Sequence, residues 1–291
     1  ERELAKRYKA AYQSALEKLA ALYAKIGDEP TLLEAKRYNK LANMLKAIAE
    51  EYKVLTKQSI SKVESSLIKT YAEATYRTQW AVDQATGIEI AFPVLPVDAI
   101  RASVYSEASG LTFIQTMKKN SAANLVKLSQ QITQGLALGE SYAKTARRVK
   151  DTFQGGYSDA IRVVRTEAGR NMNEGHLKTY KAAQEAGVEM VKKWVATLDG
   201  RTRDSHGHLD GKSEDENGLF WIGSDSAPAP GMFSLAKNVV NCRCRIIEEI
   251  TGLEPQLRRT RDDGLIPYQT SDDWAAERGY KNGKWPVEKK V

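Results

Sequence analysis

Residues 31–86 contain neither glycine nor proline, and this uninterrupted stretch restricts the possible folds more than any other feature of the chain. Apolar residues recur through it at intervals of three and four, among them Leu41, Leu45, Ile48 and Tyr52, as on one face of an amphipathic helix. At 1.5 Å per residue, a straight helix of this length measures roughly 80 Å, which exceeds an ordinary globular core. We therefore expect the helix to bend, to divide, or to pack its apolar face against other chains.

The rest of the chain alternates between helical stretches and breaks made by glycine or proline. Residues 1–26 repeat apolar side chains at helical spacing, and the stretch from Gly27 to Pro30 ends that pattern. The pair Gly155-Gly156 predicts a break between two helices, with Ser158 as the cap of the second. Further helices are predicted at 97–107, 111–137, 141–153 and 158–187, and strands at 88–92 and 188–198.

These patterns predict an α+β protein that is predominantly helical. Long N-terminal helices are followed by a small mixed α/β C-terminal module and an extended tail, because the sequence after Thr251 is polar. The predicted segments are a long-helix interaction arm at 1–86, a helical connecting region at 87–157, a module at 158–250, and the tail at 251–291.

The composition is that of a folded globular protein. Of the 291 residues, 42% are apolar and 28% are charged, which excludes a chain that is disordered throughout. No window approaches the roughly 18 to 20 apolar residues of a membrane helix, and the first residues lack the apolar stretch of a signal peptide. We therefore expect neither export nor a membrane partner.

Positive charge is concentrated in the middle of the chain. The net charge is +7, and residues 101–200 hold 15 basic and 9 acidic residues. A polyanion such as DNA is one partner that this excess favours, with Arg147, Arg148 and Lys150 as candidate phosphate contacts. Solvated helix faces, or pairing with an acidic protein surface, account for the same charges.

Residues whose side chains can bind a metal or take part in catalysis cluster between Arg165 and Cys244. Arg165-Thr166-Glu167 lies on a predicted helix, and the stretch from Asp199 to Gly211 holds two Asp-Gly turns with His206 and His208. In Asn241-Cys242-Arg243-Cys244 the cysteines are too close for an unstrained disulfide, so reduced thiols are expected. His206, Cys242 and Cys244 are donor types that suit zinc, whereas turns and buried thiols without a metal explain the same residues.

This ordered set of motifs resembles the minor head, or head-morphogenesis, proteins of tailed bacteriophages, which share a domain named after the phage Mu F protein. The resemblance is close over about residues 160–250, so the module predicted at 158–250 is the Mu F-like one. It implies a virion structural protein without enzymatic activity that acts in head morphogenesis and associates with the portal and other head proteins. It also implies multiple copies, a place inside the phage head or at the portal after assembly in the host cytoplasm, and a contribution to DNA packaging or delivery.

The resemblance also identifies structural signature residues and one departure from the family pattern. Many family members have Cys-x-x-Cys where this chain has Arg203-Asp204-Ser205-His206, and a histidine where it has Val239. No cofactor is therefore expected, and zinc bound by His206, Cys242 and Cys244 is the alternative. Without a metal, charge-assisted hydrogen bonds of Arg201, Arg203, Asp204 and Asp210 hold the loop, and we call these four residues the loop staple. The signature residues are Arg165, Glu167, Asp199, Arg201, Arg203, Asp204, His206, Asp210, Gly211, Asn241, Cys242 and Cys244.

Two other functions use the same features of the sequence. A metal-dependent hydrolase or nuclease would use His206, His208, Asp199 and Asp210 around an ion. A nucleic-acid-binding module would use the central positive charge, although aromatic residues that stack on bases are sparse there. The sequence contains no glycine-rich phosphate loop followed by lysine, which disfavours an ATP-driven packaging motor.

Overall fold

The structure is a computed structural model of the chain. It describes residues 1–27, 39–87, 90, 92, 95–107, 110–252, 257–259 and 264–267. In these residues no helix combines the length and the apolar character that crossing a membrane requires. The predicted helical start at 31–38, most of the predicted strand at 88–92 and most of the tail at 251–291 lie outside the described residues.

Long helices make up most of the described chain, which confirms a predominantly helical α+β fold. The helix α4 shows how the sequence sets a boundary: Thr112 accepts a hydrogen bond from the backbone N–H of Gln115, and the Gln115 side chain accepts one from that of Thr112. The helices are α1 (Arg2–Ile26), α2 (Lys40–Thr86), α3 (Val97–Val104), α4 (Phe113–Ala137), α5 (Tyr142–Glu185), α6 (Asp204–Gly207) and α7 (Ala236–Val239).

The strands are short and pair antiparallel, two by two. In the longest pair, Met190 lies opposite Ile250 and Val195 opposite Arg245. The third pair belongs to the segment predicted to be an extended tail, so the described part of that segment contains two paired strands. The pairs are β1 (Met190–Val195) with β4 (Arg245–Ile250), β2 (Phe220–Ile222) with β3 (Asp225–Ala227), and β5 (Leu257–Arg259) with β6 (Leu265–Pro267).

The chain divides into two compact units, and each is assembled from separate stretches of sequence. The first unit comprises residues 1–65 and 112–164, and the second comprises 66–111 and 165–291. This division differs from the segments predicted at 1–86, 87–157 and 158–250, because α2 and α5 each contribute to both units.

The core of the first unit is built from α1, the first half of α2, α4 and the start of α5. Leu19, Ile48, Leu128 and Leu136 are buried there, and the rings of Tyr52 and Phe153 lie 5.6 Å apart. The apolar face of α2 over Leu41–Leu55 is therefore covered by helices of the same chain. Of the three alternatives that the sequence left open, packing against other chains is not needed over Leu41–Leu55, because the chain folds back and supplies the partners itself.

The predicted break at Gly155-Gly156 was also wrong, since α5 runs through both glycines. Ser158 does not cap a second helix, because its hydroxyl donates to the carbonyl of Gln154 within α5. Packing explains Gly156: a Cβ placed there would lie 2.6 Å from the hydroxyl oxygen of Tyr52 on α2. Glycine at this position leaves room on α5 for the hydroxyl group of Tyr52.

We predict that Gly156→Ala destabilises the first unit while Gly155→Ala does not. The added methyl at 156 overlaps a hydroxyl on the buried Tyr52, and overpacking of this kind costs about 1–3 kcal/mol. Gly155→Ala is the matched control, because a Cβ there meets nothing within 4 Å and alanine favours the helix by up to about 1 kcal/mol. Urea unfolding measures both, and equal effects of the two variants would contradict the packing explanation.

Candidate functional site

The core of the second unit centres on Trp194 of β1, which is fully buried. Its indole makes edge contacts with the rings of His206 at 5.6 Å and Phe220 at 5.4 Å, and Phe233 lies 6.0 Å away. Aromatic pairs in this geometry contribute about 0.5–1.5 kcal/mol beyond their buried area. The candidate site is therefore built on a packed aromatic cluster.

The loop from Asp199 to Gly211 returns to β1 and is fixed there by hydrogen bonds. The buried Asp210 carboxylate accepts from the backbone N–H of Ala196 at 2.6 Å. The N–H of Gly211 donates to the carbonyl of Trp194 at 2.8 Å, and glycine suits this position because its φ is 75°. Asp210 also ends β1 earlier than the predicted 188–198, since it takes the N–H of Ala196 out of strand pairing.

The segment from Asn241 to Cys244 meets this loop directly. The Arg243 guanidinium donates to both carboxylate oxygens of Asp199, at 2.6 Å for one of them, and these hydrogen bonds lower the pKa of Asp199 to about 2. The backbone N–H of Arg201 donates to the same carboxylate at 2.9 Å, and the Arg203 guanidinium donates to the carbonyl of Val240. Two signature segments separated by 30 residues of sequence thus form one structure.

Helix α5 holds the other side of the site through polar side chains. The Asn173 amide donates to the carbonyls of Pro230 at 3.0 Å and Cys244 at 3.2 Å, and accepts from the N–H of Ile246 at 3.0 Å. The N–H of Asn241, a residue with φ 59°, donates to the hydroxyl of Thr166 at 3.0 Å. The Arg-Thr-Glu motif therefore lies against the Asn-Cys-Arg-Cys motif.

Arg170 forms a buried ion pair within α5 and links this helix to the C-terminal end of α3. Glu167 and Arg170 are 3.0 Å apart, and Arg170 also donates to the Ser106 hydroxyl at 2.6 Å and to the carbonyl of Ser103. Burial raises the pKa of Glu167, and the charge of Arg170 opposes that rise. A pair buried this deeply is stable only when its remaining hydrogen bonds are made, as they are for Arg170.

His206, Cys242 and Cys244 form one buried cluster with free thiols. Their donor atoms lie within 4.8 Å of one another, with the Nδ1 atom of His206 at 3.5 Å and 3.6 Å from the two sulfurs. A hydrogen bond from Cys244 holds the pKa of Cys242 well below its ordinary value, with a smaller contribution from His206. A hydrogen bond with Cys242, together with burial, raises the pKa of Cys244.

The same three donors fit part of a zinc site. In a tetrahedral site with Zn–S of about 2.3 Å and Zn–N of about 2.0 Å, a sulfur and a nitrogen ligand lie about 3.5 Å apart. The Nε2 atom of His206 is buried and has no hydrogen-bond partner among the described residues. No further His, Cys, Asp or Glu of the described chain joins the group, so it supplies three of the four donors of a structural zinc site.

Some residues that the sequence predicted as site residues lie at the surface, outside this buried arrangement. Arg165 and Asp204 are exposed, and so is His208, although His206 two residues earlier is buried. In the first unit, Arg148 is held by Glu140 through hydrogen bonds of 2.7 Å and 2.8 Å, whereas Arg147 and Lys150 are exposed.

The sequence analysis did not identify several residues whose side chains hold the second unit together. Arg170 had a visible signal, since it follows Glu167 by three residues on a helix, the spacing of an ion pair. Lys192 is buried, lies 2.8 Å from Glu214 and donates to the carbonyl of Gly218, and nothing in its local pattern indicates this. The buried Asp225 accepts hydrogen bonds from Ser234, Leu235 and Asn238, which follow it by 9 to 13 residues in the sequence.

Known proteins match this chain over most of its length. The sequence model of the family described as "Phage Mu protein F like protein" matches residues 126–247. The chain is 30% identical over 269 residues to the minor head protein GP7 of Bacillus phage SPP1, which covers 90% of this chain and 86% of GP7. It is 33% identical over 246 residues to "NAD(+)--arginine ADP-ribosyltransferase EFV" of Enterococcus faecalis. No solved structure matches.

These matches define the class as that of phage head proteins with a Mu F-like domain. The chain belongs to the phage minor head protein family, which confirms the resemblance found in its sequence motifs. The Enterococcus match covers 82% of this chain but only 50% of that protein, so the chain spans half of its length. The Mu F-like match begins at residue 126, within α4, well before the motifs that carried the resemblance.

We predict that Asp210→Ala lowers the free energy of unfolding by about 1–3 kcal/mol, the range for losing a buried hydrogen-bonded group. The variant leaves the N–H of Ala196 without its carboxylate partner. Glu216→Ala is the control, because Glu216 is exposed and the variant removes the same negative charge. Thermal and urea unfolding should show the loss for Asp210→Ala alone.

Unfolding of the unmodified chain with and without a chelator distinguishes stabilisation by the loop staple from stabilisation by bound zinc. We expect the unfolding midpoint to change little, because hydrogen bonds to Asp199, Asp210 and Asn173 hold the same segments without a metal. A large fall on chelation, together with about one equivalent of zinc per chain in elemental analysis, would contradict this and assign the ion to His206, Cys242 and Cys244.

Proposed function

We propose that this chain is a structural minor head protein that acts in head morphogenesis by associating with the portal and with other head proteins. The observation that carries the proposal is the 30% identity to the SPP1 minor head protein over 86% of that protein's length. In this proposal several copies enter the phage head from the host cytoplasm during assembly. They stay inside the head or at the portal, and contribute to DNA packaging or delivery.

A groove in the first unit is the surface that we propose for portal contact. It lies between α2 and α4 and has a volume of about 660 Å³. Its floor is mainly apolar and its rim carries lysines, so it suits an amphipathic helix of the portal with acidic residues beside an apolar face. The residues that form the floor and rim include Ile60, Ile114, Leu125, Lys53, Lys57 and Lys118.

The excess of positive charge supports an acidic partner at this groove. Lys57 and Lys118 are exposed and line the same concavity, and like charges close together favour an acidic surface opposite them. The sequence had suggested the helical arm at 1–86 as the docking element. Residues 1–65 belong to the core of the first unit, so deleting the arm would remove part of that core and not only a docking surface.

We predict that the double variant Lys57→Glu/Lys118→Glu weakens portal binding by about tenfold or more, because it places negative charges where an acidic partner docks. A pull-down with the purified portal protein at fixed salt measures this. Lys127→Glu/Lys150→Glu is the matched control, since it makes the same change of charge at exposed positions of the first unit outside the groove. Equal losses in both variants would contradict docking at the groove.

The proposal includes no enzymatic activity for this chain, and the surroundings of three of the four candidate catalytic residues support this, while the fourth, His208, is exposed. His206 is buried, Asp199 is held by Arg243, and Asp210 accepts a backbone hydrogen bond. A hydrolase or nuclease site needs carboxylates and imidazoles that can reach a substrate or an open metal position. The hydrolase or nuclease alternative is therefore not favoured.

The Enterococcus relative, whose name states an NAD(+)–arginine ADP-ribosyltransferase activity, provides the test. We propose that this activity belongs to the half of that protein that the present chain does not span. We predict that the chain does not consume NAD⁺ in the presence of an arginine acceptor, with the full-length Enterococcus protein assayed beside it as the positive control. Turnover by the chain at a rate similar to that of the relative would contradict the proposal.

A further inference from the structure

A cleft in the second unit is lined by five arginines. It has a volume of about 670 Å³ and lies between α5, the loop after β1, and the segment that leads into β4. A cavity of this size falls in the range of about 300–1,000 Å³ that holds small ligands. The arginines are Arg165, Arg201, Arg203, Arg243 and Arg245.

The side chains described in the lining of this cleft carry positive charge. None of its lining residues in the described chain is Asp or Glu. The carboxylate of Asp199 serves two of the arginines, with hydrogen bonds from Arg243 and an oxygen 3.6 Å from a guanidinium nitrogen of Arg201. Arg203 donates to a backbone carbonyl, which carries no net charge. The cleft therefore holds a strong excess of positive charge.

Packing does not account for all of these arginines. Arg165, Arg201 and Arg245 are exposed and come from three separate stretches of the chain, yet they line one concavity. Like charges so close together repel, and an anion between them offsets that repulsion. The close contact of α5 with the segment at 242, where a Cβ on Gly169 would lie 3.3 Å from the carbonyl of Cys242, brings these stretches together.

We propose that this cleft is a binding site for phosphate groups. A guanidinium presents paired N–H donors that match two oxygens of one phosphate, and such charge-assisted bonds are among the strongest hydrogen bonds in proteins. The exposed guanidinium groups of Arg165, Arg201 and Arg245 come from three separate stretches of the chain, so the site suits a ligand with two or more phosphates. The backbone of DNA and the phosphates of a free nucleotide share this chemistry. The proposal does not depend on portal binding.

The test measures binding of two probes to the full-length chain: a short fluorescent DNA duplex and a fluorescent ADP. We expect Arg201→Gln/Arg245→Gln to weaken binding of at least one probe by about tenfold or more, since each lost contact involves a charged donor. Lys9→Gln/Lys46→Gln removes the same charge from exposed positions of the first unit that line neither the groove nor the cleft, and we expect less than about a twofold change. Duplex binding should also lose salt dependence by about 0.9 in the log-log slope per phosphate contact removed.

The two probes identify the source of the phosphate. A selective loss with the duplex assigns the backbone of DNA, and a selective loss with ADP alone assigns a free nucleotide. Arg201→Lys/Arg245→Lys keeps the charge without the paired donors and should bind with intermediate affinity, which separates recognition from a folding defect. Equal losses in the cleft variant and the control, or binding of neither probe by the unmodified chain, would overturn the proposal. Portal pull-down with the same variants should be unchanged.

Discussion

The second unit depends on side chains that satisfy buried, irregular backbone. The strands described in it have three to six residues and pair two by two, so the backbone beyond their ends needs other hydrogen-bond partners. Asn173 supplies three of the missing bonds, Asp210 supplies one at the end of β1, and Asp225 closes the turn before α7. These side chains are themselves buried and need the backbone as their partner, so loops and polar residues become ordered together.

Local periodicity predicted the long helices because amphipathic spacing, capping and helix length are properties of neighbouring residues. The helix break predicted at Gly155-Gly156 was wrong, because glycine at 156 makes room for Tyr52, which lies more than 100 residues earlier in the chain. The Asp199–Gly211 and Asn241–Cys244 motifs could be recognised as a set, whereas their contact through Arg243 could not be derived from their spacing. Lys192 and Asp225 were missed for the same reason, because their partners are distant in sequence.

Charge counted along the sequence and charge placed in space lead to different surfaces. The window at 101–200 holds the largest positive excess, yet Arg148 within it is held by Glu140. Four of the five cleft arginines lie after that window, where acidic residues of the same stretch offset them in the net charge. They are Arg201, Arg203, Arg243 and Arg245. A local electrostatic potential therefore follows from position in the fold more than from composition.

The interleaving of the two units has a consequence for the chain as it leaves the ribosome. The first unit is complete only when residue 164 has been made, because 112–164 supply α4 and the start of α5. Residues 66–111 emerge earlier, yet their unit waits for partners that begin at residue 165. The apolar faces of α1 and α2 are thus exposed during synthesis of about a hundred residues, a state in which host chaperones act on nascent chains.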